Sequence, residues 1–201
     1  MMWDEWRKQY DQMSFQDQVT FYAQFQDPTQ TISMSKWGFY KKETVNYLQL
    51  ILKTGIPHIL ELGGGDGSLA YNIVQDCPNI GSWYNYDFKF PPRFDIPNYH
   101  HHTITQWFWD YPDFQGYTHF ISVETLEHIK RKQVELILSK LKAINDLIIE
   151  IPLPEIKTNW EGYDGSHILE LSMNEFIMLF QTNGYSLFYR AGTLLHFRRE
   201  Q

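Results

Sequence analysis

Cysteine is almost absent. Cys77 is the single thiol in 201 residues, which excludes an internal disulfide and fits a reducing compartment. No apolar run reaches the roughly 18 residues that suggest a membrane-spanning helix. The first ten residues, with Asp4, Glu5, Arg7 and Lys8, contain no signal-peptide core. Basic residues are scarce: 17 Lys and Arg stand against 24 Asp and Glu, a formal net charge of −7. That balance counts against a partner held through its phosphates, and so against nucleic acid. The dense basic runs, Lys130-Arg131-Lys132 and Arg198-Arg199, read as a solvated face and a tail. Internal repeats and linkers are missing as well. These absences lead to an expectation of a soluble cytoplasmic protein with no membrane attachment.

Apolar residues make up 43% of the chain and aromatics 17%, which excludes general disorder and allows a substantial core. The densest signal is Ile59-Leu60-Glu61-Leu62-Gly63-Gly64-Gly65-Asp66-Gly67-Ser68-Leu69-Ala70. His58 to Leu62 reads as a buried strand, and Ser68 to Val74 has helical spacing. Gly63, Gly65 and Gly67 lie between them. Glycine permits a tight turn and lets a ligand approach bare N–H groups, with the positive end of the following helix aimed at it. This is the first half of a nucleotide-binding βαβ unit. Gly65-Asp66-Gly67-Ser68-Leu69-Ala70 also fits G-x-G-x-x-A, a form of the dinucleotide fingerprint.

Upstream, Trp3, Trp6, Tyr10 and Met13 recur at helical steps, and Ser14-x-x-Asp17 fits a capping box with a short acid. Residues 1–34 read as a helical cap, docked through its aromatics, and residues 35–201 as one domain. The polar stretch Gln26 to Trp37 is expected to serve as a lid. Lys36 to Lys53 reads as a helix closed by Gly55 and Pro57. Downstream, strands are expected at Ile80–Asp87, Tyr99–Thr105, Thr118–Val123 and Asp146–Ile151. Glu124–Ile129 is expected to open a helix, a second helix spans Gln133–Ile144, and residues 152–171 form a long loop. Ser172-x-x-Glu175 is a capping box for a helix ending at Thr182, with Gly184 as its cap. Tyr185–Tyr189 and Thr193–Arg198 make a terminal hairpin around Ala191-Gly192. His100-His101-His102 is not read as a metal site, because neighbours in a strand point to opposite faces.

Glu61-x-Gly63-x-Gly65-x-Gly67, the acid Asp87 about twenty residues past the glycine loop and the terminal hairpin together resemble the class I S-adenosylmethionine (SAM) methyltransferases. The resemblance spans residues 35–199. It implies an α/β, Rossmann-like fold: a seven-stranded, mostly parallel sheet with an antiparallel last strand and helices on both faces. It also implies an enzyme that transfers a methyl group from SAM to a small molecule or saccharide, at oxygen. Glu61, Gly63, Gly65 and Gly67 would hold the methionyl part of the cofactor and Asp87 its ribose. Thr105 would flank the adenine. The backbone of Ser122 and Val123 would meet the cofactor's amino group.

Glu124-x-x-Glu127-His128 is similar to a segment shared by ubiquinone-biosynthesis O-methyltransferases and small-RNA 2′-O-methyltransferases. On a helix, positions i, i+3 and i+4 share one face. In those families the motif binds a divalent metal, so Glu124, Glu127, His128 and, from the later loop, His167 would ligate magnesium or another divalent ion. A bound cation lowers a hydroxyl's pKa and orients its oxygen. Metal-free relatives carry a similar segment, in which His128 would act as a base or substrate contact and the glutamates would be solvated; a purely structural role is the third reading. In the enzyme reading His128, with Glu124 and Glu127, would face the acceptor. The functional alternatives are a catalytically silent SAM-fold binding protein and an RNA 2′-O-methyltransferase.

Overall fold

His58–Leu62 forms β1, flanked on one side by β2 (Ser82–Asp87) and on the other by β4 (His119–Val123). The computed structural model describes residues 9, 12–18, 42–87, 92–112, 114–152 and 168–200. β3 (Tyr99–Thr103) lies outside β2, and β5 (Asp146–Glu150) lies beside β4. These five strands are parallel. β6 (Tyr185–Ala191) and β7 (Leu194–Arg199) complete a seven-stranded sheet of order β3-β2-β1-β4-β5-β7-β6. β7 alone is reversed, antiparallel to both β5 and β6. The expected mostly parallel sheet with an antiparallel last strand is the one observed.

Alternation along the strands builds two cores. Ile59, Ile121 and Ile148 face α1 (Lys42–Leu52) and α2 (Ser68–Val74), which contribute Leu48, Leu52, Leu69 and Ile73. Leu60, Phe120, Leu147 and Ile149 face α3 (Arg131–Lys140) and α4 (Met173–Thr182), which bring Val134, Ile137, Leu138, Phe176 and Phe180. Both faces of the central strands are therefore dry, as a parallel sheet between helices requires. Each of these side chains contributes about 1.5–3 kcal/mol by leaving water.

The local punctuation works as read. Ser172 Oγ accepts from Glu175 N–H at 3.2 Å, and Glu175 Oε2 accepts from Ser172 N–H at 2.8 Å. Gly184, at φ +85°, ends α4 in the left-handed region that favours glycine. The shorter Ser14–Asp17 box also closes, with Asp17 N–H donating to Ser14 Oγ at 3.1 Å. Beside it Phe15 sets its ring edge against Trp107, with centroids 5.1 Å apart, which docks this element on the core.

One expectation fails. Glu124–Ile129 does not open an α-helix. Glu124 sits at φ +51°, Leu126–His128 is a single 3₁₀ turn, and Ile129 is already extended. α3 starts only at Arg131. A left-handed residue directly after β4 breaks the helical run before it begins. The expected lid from Gln26 to Trp37, the loop residues 153–167 and the aromatic stripe from Trp3 to Tyr10 lie outside the described residues.

Candidate functional site

The strand order reverses at β1, whose neighbours β2 and β4 lead outward in opposite directions. Open α/β sheets bind ligands at the carboxyl ends of the strands beside such a point. The glycine loop lies there. Gly63, Gly65 and Gly67 have φ of +80°, +55° and +82°, a conformation that costs other residues about 1–2 kcal/mol each. Space matters too: a Cβ on Gly63 would fall 2.0 Å from Thr125 Oγ1. Thr125 is fixed in turn, because its hydroxyl donates to the Val123 carbonyl at 3.0 Å.

The N–H groups of the loop's four glycines have partners. Gly63 N–H donates to the Tyr86 carbonyl at 2.8 Å and Gly67 N–H to the Gly64 carbonyl at 3.1 Å. Gly64 N–H donates to Asn85 Oδ1 at 2.9 Å and Gly65 N–H to Asp87 Oδ2 at 2.7 Å. At the start of α2, Ser68 gives both its N–H and its hydroxyl to Asp66 Oδ1, at 3.1 and 2.6 Å. The expectation of exposed donors aimed at a ligand is corrected: these donors end on acceptors within the chain.

Beneath the loop is a buried polar layer. Strand alternation places Glu61, Trp83, Asn85, Asp87, Tyr99 and His101 on one face, the face covered by α2. Trp83 Nε1–H donates to Glu61 Oε2 at 2.7 Å. Burial pushes the Glu61 carboxyl up to about 8, against the pull of the Trp83 bond, and the charges of Asp87 and Asp66 add to the rise. Burial likewise raises the Tyr99 hydroxyl, helped by Glu61. It lowers the His101 imidazole, while Asp87 acts in the opposite sense.

On the other side of the crevice, Ser122 is buried and its hydroxyl donates to the Leu62 carbonyl at 3.2 Å, tying β4 to β1. Val123 ends β4. Glu124 N–H donates to the Glu150 carbonyl at 3.0 Å. Such strain after a strand is characteristic of functional sites. Glu127 is 1% exposed, and its carbonyl takes the N–H groups of Ile168 and Leu169 at 2.8 and 3.0 Å. The His128 side chain is 28% exposed, its Nε2 lying 3.9 Å from Glu127 Oε1. The 3₁₀ turn denies Glu124, Glu127 and His128 the common helical face on which the metal reading rested. Among the described residues no group of three or more His, Cys, Asp or Glu side chains is arranged to hold a metal ion. His167 lies outside those residues. Thr105 follows β3, exposed, with its N–H donating to the Tyr111 hydroxyl at 3.2 Å.

No protein-family model matches the sequence, and no curated protein does either. Solved structures do match. An O-methyltransferase family protein from Burkholderia thailandensis superposes with a TM-score of 0.62 at 10% identity, over 85% of this chain and 58% of that one. The fold is that of the class I SAM-dependent methyltransferases. A small-RNA methyltransferase gives 0.62 at 16% identity, over 82% of this chain but 26% of its own. The magnesium protoporphyrin IX methyltransferase of Synechocystis, solved with bound SAH, gives 0.57 at 15% identity, over 79% of this chain and 83% of that one. The chain thus spans little more than half of the first of these structures and about a quarter of the second.

Within this methyltransferase fold, the sequence reading picks out the glycines and Asp87 but misses Asn85, Trp83, Tyr99 and Thr125. A signal for Asn85 existed: it is two residues before Asp87, so on the same face. The reading of the three histidines holds. His101 faces the loop side. His100 and His102 face the other side and both stack on Tyr84, with centroids 4.3 and 5.5 Å away. His102 also stacks on Tyr86 at 4.8 Å.

Proposed function

We propose that the chain is a SAM-dependent methyltransferase that methylates a small-molecule or saccharide acceptor at oxygen. The direction of the loop's polar groups supports this most. A pyrophosphate needs N–H donors at the glycine turn and helix start. Here those donors are engaged by Tyr86, Asn85, Asp87, Gly64 and Asp66, and two of the acceptors are carboxylates. That lining suits a cofactor carrying a sulfonium and an ammonium, and it disfavours a dinucleotide.

On this reading, Gly63–Gly67 surround the methionyl part, and Glu61, buried beneath Gly64, supports the loop from below. Asp87 takes the ribose hydroxyls, since a carboxylate can accept both. Thr105 flanks the adenine, and the Ser122–Val123 backbone meets the amino group. When bound, SAM supplies a methyl group already activated by its positive sulfur. His128, partly exposed after β4, takes the acceptor's hydroxyl proton on Nε2, which lies 3.9 Å from Glu127 Oε1. Glu124, at the strained turn, orients the acceptor. The described residues assemble no ligand set for a metal ion. The single thiol, Cys77, is buried, in keeping with a cytoplasmic setting, and among the described residues no helix is long and apolar enough to cross a membrane.

Isothermal titration with SAM, SAH and NAD tests the proposal. SAM and SAH are expected to bind at micromolar concentration and NAD to show no heat. A chain that ignores SAM at millimolar concentration is not this enzyme.

A further inference from the structure

We propose that Asn85 is a positioning residue that holds the glycine loop in its cofactor-receptive shape and thereby sets the affinity for SAM. The proposal rests on the reading of that loop as the SAM site, and it concerns a residue outside the glycine–acid pattern. Asn85 is 0% exposed in the middle of β2. Its Oδ1 accepts from Gly64 N–H at 2.9 Å. Its Nδ2 donates to the Gly65 carbonyl at 3.1 Å and to the Tyr99 hydroxyl at 2.9 Å. One planar amide therefore grips the turn at two points, taking a hydrogen from the Gly63–Gly64 peptide and giving one to the Gly65–Asp66 peptide. Among side chains of this length only Asn can do both. Asp in its ionised form has no hydrogen to give, and it would add negative charge beside Glu61 and Asp87.

The grip extends to both ends of the loop. A Cβ on Gly64 would fall 2.3 Å from the Glu61 carboxyl group and 2.7 Å from Asn85 Oδ1. Gly64 is thus required by what lies beneath it, although it is not one of the alternating glycines. At the far end, the Tyr99 hydroxyl that Asn85 holds lies 3.0 Å from where a Cβ on Gly67 would stand. Asn85 so holds Gly64 and Gly65 directly and fixes the Tyr99 hydroxyl that limits the space at Gly67. Asp87, two residues on and facing the same way, takes Gly65 N–H at 2.7 Å. If Asn85 lets go, Gly64 N–H and the Gly65 carbonyl lose their buried partners and the turn relaxes, since glycines at positive φ have wide conformational freedom.

The test uses the full chain with Asn85→Ala, Asn85→Asp and Tyr99→Phe, with Leu138→Ala in α3 as a control of general destabilisation. Two quantities are read: the dissociation constants for SAM and SAH, and the amide hydrogen exchange of Gly64 and Gly65 without cofactor. Asn85→Ala and Asn85→Asp are expected to weaken SAM at least tenfold and to speed Gly64 or Gly65 exchange at least tenfold. Tyr99→Phe gives a smaller effect in the same direction, and this variant keeps the test open if the Asn85 variants fail to fold. Leu138→Ala lowers the unfolding temperature with SAM affinity within twofold of wild type. SAM affinity within twofold of wild type in the folded Asn85 variants would overturn the proposal, as would affinity lost equally in Leu138→Ala. A wild-type chain that does not bind SAM removes the cofactor reading and the claim about affinity together; faster Gly64 exchange in the variants would then still show the grip on the loop.

Discussion

The indole N–H of Trp83 donates to Glu61 Oε2 at 2.7 Å, and both side chains are fully enclosed between β1, β2 and the glycine loop. An acid in that position retains its proton to a higher pH than it would in the unfolded chain. Its folded value of about 8 lies above the ordinary 4.5. Between those values the folded state holds a proton that the unfolded state has lost, so stability falls as pH rises through this window and levels off above it.

Glu61→Gln removes that dependence while leaving an oxygen for Trp83. The wild-type unfolding temperature is expected to drop from pH 5 to pH 9, and the variant's curve to be flatter over the same range, as followed by circular dichroism. Parallel curves for the two proteins would show that Glu61 does not titrate in this window.

Asp87→Ala removes the proposed ribose acceptor and the partner of Gly65 N–H. Hydrogen bonds to a charged group are worth about 1.5–3 kcal/mol, so SAM affinity should fall by roughly tenfold to a hundredfold. Titration calorimetry measures it, and unchanged affinity would refute the ribose role.

His128→Ala should leave SAM binding intact and cut methyl transfer by about 10²–10⁴, the usual contribution of a general base. EDTA should alter neither binding nor transfer, followed with radiolabelled SAM and a pool of hydroxylated small molecules. Transfer lost in EDTA and restored by magnesium would reinstate the metal reading.

Far from the loop, Asp146 takes hydrogen bonds from His196 Nε2 and Arg198 Nε, each at 2.8 Å, and His196 Nδ1 meets the Tyr47 hydroxyl of α1 at 2.7 Å. Burial works against the Asp146 carboxylate, but the His196 and Arg198 bonds hold its pKa below the ordinary value. A depressed acid stabilises above its unfolded pKa and loses that contribution as pH falls through its folded one. Asp146→Asn should therefore cost about 1–3 kcal/mol at neutral pH, and the difference should shrink below roughly pH 4. Urea unfolding at pH 7 and pH 3 checks both halves.

The sheet was legible because its information is local. His58–Leu62, Thr118–Val123 and Asp146–Ile151 are apolar runs, and Ser172 with Glu175 announces α4. Segment 124–129 was misread because its deciding feature, a left-handed Glu124 whose N–H bonds the Glu150 carbonyl on a neighbouring strand, is encoded by no spacing rule. Glu61 and Asp87 were visible through a resemblance. Asn85 and Tyr99 were not, since their importance lies in contacts with residues fourteen to twenty-one positions away in the chain.

β7 follows β6 in the chain yet lies between β5 and β6 in the sheet. Of the seven strands described, the last in the chain is therefore an interior one. Until it arrives, β5 presents an unpaired edge and β6 has nothing to join. Leu194, Leu195 and Phe197 fill the gap with side chains that become buried at that moment. β6 therefore joins the sheet only through β7, which pairs with β5 on one side and β6 on the other. Truncation after Ala191 would not trim a margin; it would remove the keystone.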